Sequence, residues 1–69
     1  MFYFFERERE FVCVEFSGSN ETGYHLAIAE PGGQGRIETF GSAEAAYDRW
    51  TELQEQFQRS GWCGPSERD

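Results

Sequence analysis

An α+β fold is what the 69-residue sequence predicts: a four-stranded antiparallel β-meander with one C-terminal amphipathic helix packed on one face. Three observations lead there. Between Phe2 and Phe40, short segments of alternating apolar residues are separated by charged, Gly-rich and Pro-containing breaks. From Ala43 to Phe57, apolar residues instead recur at three- and four-residue steps. The length allows a single hydrophobic core, so sheet and helix must share it.

Phe2-Tyr3-Phe4-Phe5 favours β structure, and a first strand is expected from Phe2 to Arg7. The charged run Glu6-Arg7-Glu8-Arg9-Glu10 turns the chain. A second strand, Glu10 to about Ser17, places Val12, Val14 and Phe16 on the core face and Phe11, Cys13 and Glu15 on the other. Gly18-Ser19-Asn20-Glu21-Thr22-Gly23 has the composition of an exposed, mobile loop. The third strand, Tyr24 to Glu30, turns Leu26 and Ile28 inward, with His25, Ala27 and Ala29 on the opposite side. Pro31-Gly32-Gly33-Gln34-Gly35 is a hairpin turn, because Pro presets one turn dihedral and Gly permits positive φ. The fourth strand runs from Arg36 to Phe40.

Ser42 is placed to cap the helix, and Glu44 complements its positive end. Ala43, Ala46, Tyr47, Trp50, Leu53 and Phe57 form the apolar stripe, with Glu44, Asp48, Glu52 and Glu55 around the solvated side. Arg59 in the last turn and Gly61 just beyond it mark the stop. With Gly61 in the left-handed position after the helix, Trp62 meets Phe57 in a Schellman motif. Residues 1–62 therefore form one β-β-β-β-α domain, and residues 63–69, which carry no apolar periodicity, are expected as a flexible C-terminal tail.

Phe 7, Tyr 3 and Trp 2 imply an aromatic core, which suits a small chain because each ring buries more area than an aliphatic side chain. Thirteen acidic against six basic residues give a net charge of -7, which repels phosphate backbones and disfavours nucleic acid as a partner. All six basic residues are arginines scattered among acids. No run approaches the roughly 18 apolar residues of a membrane span, and no export signal follows Met1. The cytoplasm is the expected setting, with Cys13 and Cys63 as reduced thiols.

No reactive constellation is apparent. His25 is the lone histidine and reads as a surface or edge residue. Cys13, His25 and Cys63 lack the paired spacing of a metal site, so neither metal nor cofactor is expected. The glycine-rich turn lacks the Lys and Ser/Thr of a phosphate loop and precedes a strand. Carboxylates on the outer helix face read as solvated groups, and no catalytic residue is assigned.

The first strand is more informative, since it is aromatic on both sides while one helix covers only one face of a sheet. Tyr3, Phe5, Phe11 and Cys13 are the candidate interaction face. A non-enzymatic protein-interaction module follows, with a protein partner or a second copy docked on the free sheet face. Two alternatives stand beside it: an acidic nucleic-acid mimic that inhibits a basic protein, and a small enzyme or metal protein using Cys13, His25 and Cys63.

The stretch Arg36-Ile37-Glu38-Thr39-Phe40-Gly41-Ser42-Ala43-Glu44-Ala45-Ala46, with Gly61-Trp62 at its end, resembles the C-terminal half of small uncharacterised bacterial sheet-plus-helix proteins. Its helix region is also similar to the helix that closes WGR-type domains, although the Trp-Gly-Arg signature itself is absent. The resemblance implies sheet-and-helix architecture and, through the WGR likeness, an association with DNA-binding proteins.

Overall fold

The computed structural model describes residues 1–68, with side chains through residue 67. The chain runs β1 (Phe2–Arg7), β2 (Glu10–Ser19), β3 (Gly23–Ala29), β4 (Gly35–Phe40), α1 (Ala43–Arg59) and β5 (Cys63–Arg68). The sheet is antiparallel, in the order β4-β3-β2-β1-β5. It therefore has five strands rather than four, and the helix is followed by a strand rather than ending the fold. Residues 63–68, expected as a flexible tail, are β5. They pair with the outer side of β1, whose backbone N–H and C=O groups a four-stranded sheet would leave open.

β1 and β2 are joined by only two residues, Glu8 at φ 48 and Arg9 at φ 73. Two consecutive positive φ values make a turn of the I′ hand, which matches the right-handed twist of the flanking strands. Its register sets Phe5 opposite Val12 and Tyr3 opposite Val14. Directly opposed residues share a face, so Tyr3 and Phe5 belong with the valines. The β2–β3 connection is tighter than the expected loop: the strands extend to Ser19 and Gly23. Ser19 Oγ accepts from the Glu21 and Thr22 N–H groups at 3.3 and 3.2 Å.

The helix has the expected ends. Ser42 Oγ accepts from the Ala45 N–H at 3.2 Å. At the other end Gly61 takes φ 90, which suits glycine because no Cβ meets the backbone there. The Gly61 N–H donates to the Gln58 carbonyl at 3.1 Å and the Trp62 N–H to the Phe57 carbonyl at 3.0 Å. Those two bonds are the Schellman pair, and the Phe57 and Trp62 rings meet edge-on at 6.3 Å.

The core lies between α1 and one sheet face: Phe5, Val12, Val14, Leu26 and Ile28 from the strands, Trp50, Leu53 and Phe57 from the helix, and Trp62. Trp50 stacks on Tyr3 at 4.6 Å and meets Phe5 at 5.9 Å, while Phe57 meets Phe5 at 4.9 Å. Each fully buried ring contributes about 1.5–3 kcal/mol, enough for a few aromatics to hold so small a core. Arg7 adds a clasp, its guanidinium lying 4.4 Å over the Trp62 ring and donating to the Ser60 carbonyl at 2.7 Å.

Candidate interaction surface

Strand registers turned away from the helix line up in rows across the sheet. One row reads Ser66, Phe4, Cys13, Ala29, Gly35, and the next Arg68, Phe2, Glu15, Ala27, Ile37. Phe11 opposes Glu6, beside Cys63, in the row before, and Ser17, His25 and Thr39 form the row beyond. No element covers this face, because the only helix among the described residues lies on the other side. Phe11 is 56% exposed and Ile37 69%, values that set them apart from the core residues, which reach 8% at most.

Relief on the face follows residue size. Phe2 and Phe4 stand up from β1, whereas in the same two rows β3 offers only Ala27 and Ala29. A groove of about 840 Å³ runs along Phe2, Phe4, Phe11, Cys63 and Ser66. A second, of about 580 Å³, is floored by Ala27, Ala29 and Gly35 and flanked by Phe2, Cys13 and Ile37.

Of the four residues expected on this face, Phe11 and Cys13 are there, the latter half-buried. Tyr3 and Phe5 are not. Phe5 is 0% exposed in the core and Tyr3 packs on Trp50, because their register partners are Val12 and Val14. The aromatic half of β1 on the open face is Phe2 and Phe4. Alternation within β1 is silent on this point, since both its sides are aromatic, but its partnership with β2 across a two-residue turn carries the parity.

The open face carries few charged groups, Glu6 and Glu15 being its described carboxylates. Burial and the neighbouring Glu15 carboxylate push the Cys13 thiol above its usual range, so it is held protonated. Cys13 and Cys63 are both free. Cys13 lies four residues along β2 from Ser17, the register partner of His25, which is about 13 Å at ~3.3 Å per residue. Cys63 lies across β1 and a further two residues away, about 12 Å from Cys13. These three side chains share no coordination shell. Among the described residues no group of three or more His, Cys, Asp or Glu is placed to hold a metal ion.

On the covered side, Glu38 of β4 receives Arg49 through two bonds, Nε to Oε1 at 2.8 Å and Nη2 to Oε2 at 3.2 Å. Arg36 Nε adds a third at 3.2 Å. Donation by Arg49, then by Arg36, holds the Glu38 carboxyl below the usual glutamate range, outweighing the burial that opposes it, and Glu38 raises Arg49 in return. Arg49 also reaches Glu52 at 3.1 Å and Arg36 reaches Glu30 at 3.7 Å, while Arg59 pairs with Glu55 at 3.6 Å. The remaining described acids are spread over the open face (Glu6, Glu15), the turns (Glu8, Glu21), the strands β2 and β5 (Glu10, Glu67) and the outer helix (Glu44, Asp48). Among the described residues no helix is long and apolar enough to cross a membrane.

No protein-family model matches the chain, and neither a curated protein nor a solved structure gives a significant match.

Proposed function

We propose that the chain is a non-enzymatic protein-interaction module whose binding surface is the helix-free face of the sheet. The observation that carries the reading is the contiguity of Phe2, Phe4, Phe11 and Ile37 with Ala27 and Ala29 on one uncovered face. Single exposed apolar residues are ordinary on a monomer, but a connected patch spanning four strands, β1 to β4, is characteristic of association surfaces. The acidic-mimic alternative is not favoured by the carboxylates, which are dispersed, with Glu38, Glu52 and Glu55 partly neutralised by arginines. A cytoplasmic setting belongs to the same proposal, motivated by two unpaired thiols.

Hydroxyl-radical footprinting of the full chain tests it, in concentrated extract of producing cells and again after purification to low micromolar concentration. Tyr47, 63% exposed on the helix, serves as the internal reference. Labelling of Phe4 and Phe11 is expected to fall in the extract relative to Tyr47. Equal labelling of Phe11 under both conditions overturns the proposal.

A further inference from the structure

We infer that the occupant of the open face is a second copy of the chain, stacked sheet to sheet about a two-fold axis running along β2. This rests on the reading of the open face as an association surface and names its partner. The central position of β2 in the order β4-β3-β2-β1-β5 is the starting point. An axis along the middle strand lays β1 over the partner's β3, and β4 over the partner's β5.

That superposition brings the high ground of β1 to the low ground of β3, with Phe11 of β2 over its own copy. Phe4 and Ala29 lie in one row, on either side of Cys13, and Phe2 and Ala27 flank Glu15 in the next. Rotation about β2 therefore seats Phe4 on the partner's Ala29 and Phe2 on the partner's Ala27, twice each by symmetry. On the outer strands, Gly35 comes over the partner's Ser66, and Ile37 over the register position of Arg68. A two-fold axis perpendicular to the strands would instead set Phe against Phe and Ala against Ala. A surface complementary to itself under one rotation is what an isologous dimer requires.

Charge and area agree with this arrangement. Stacked sheets lie ~10 Å apart with each helix on its outer side, so the acidic helix faces are separated by well over a Debye length of about 8 Å. The net charge of -7 is thus compatible with self-association through this face. Five strands at ~4.8 Å and about six residues at ~3.3 Å present roughly 24 by 20 Å, so two copies remove about 1,000 Å² of surface, where specific but reversible interfaces begin. Glu15 is the one described carboxylate that the axis brings close to its own copy.

Sedimentation equilibrium on the full chain, from about 1 µM to about 500 µM, reads the association. The mass is expected to rise from one chain of 8.0 kDa to two, with a Kd on the order of micromolar. Phe4→Ala and Ala29→Phe alone are each expected to weaken the dimer at least about tenfold, and the double variant to recover to within about threefold of the unaltered chain. The two positions are separated by β2 within one chain, so recovery reports contact between copies. Should Phe4→Ala unfold, Phe2→Ala with Ala27→Phe reads the same contact in the neighbouring row. Glu15→Gln is expected to tighten the dimer.

A one-chain mass at all concentrations, or a double variant as weak as the sum of its singles, overturns the inference. If Phe11 is nevertheless shielded in extract, the open face binds a different protein. Loss of both results retires both readings.

Discussion

Gly64 shows how much one residue can decide. At φ 146 it lies where side chains are strained, and a Cβ there would sit 2.7 Å from the Phe4 carbonyl oxygen and 3.1 Å from the Phe5 ring. Both neighbours belong to β1, one of them at the centre of the core, and neither has room to retreat. Gly64→Ala is therefore expected to cost about 2 kcal/mol, seen as a lower urea midpoint with an unchanged slope. Glu38 gives a second test, with a definite sign. Its folded carboxyl titrates below its unfolded value, so its stabilisation is present above about pH 4.3 and fades as pH falls through the folded value. Glu38→Gln is expected to lose about 1 kcal/mol near neutral pH, the upper end for a partly exposed ion pair, and to match the unaltered chain near pH 2. A constant difference across an acid titration would show that the loss comes from packing.

The elements differ in how openly the sequence announces them. β2, β3 and α1 follow from periodicity alone, because a half-buried strand alternates and a helix lying on a sheet repeats every 3.6 residues. β5 carries no such pattern: Cys63-Gly64-Pro65-Ser66 contains two residues that disfavour strands. Its strand character comes from the edge of β1, with a register shift between Phe4 and Glu6 accommodating it. The face of Tyr3 and Phe5 was hidden for a related reason, since it is fixed by pairing rather than by composition. The turn that fixes it uses Glu8-Arg9 where Asn-Gly would be favoured, which disguises its type. Glu8→Asn with Arg9→Gly is accordingly expected to raise stability by about 1 kcal/mol in chemical denaturation. A loss of stability would mean that the two side chains contribute more than their backbone strain costs.

At the scale of the molecule, the helix-facing half of the design was readable in advance and the open face only partly so. Phe11 and Cys13 were identifiable because β2 alternates cleanly. Phe2 and Phe4 required the register, and the Arg7 clasp on Trp62 and Ser60 joins positions too distant in sequence for any local pattern to reveal. β5 also closes the sheet, joining the first strand to the last through Phe2–Arg68 and Tyr3–Glu67. A chain ending after Trp62 is expected to keep α1 but lose cooperativity and aggregate, measurable as a broadened melt with rising light scattering.

Pairing of the first strand with the last also has a consequence during synthesis. Phe2-Tyr3-Phe4-Phe5 leaves the ribosome before Cys63–Arg68, and its outer edge has no neighbour until that segment follows. Until that segment follows, the most aromatic strand presents an unprotected template to other nascent chains. Glu6-Arg7-Glu8-Arg9-Glu10, directly after it, places a run of charged side chains beside that segment, and charged flanks are how sequences restrain such strands until their partner arrives.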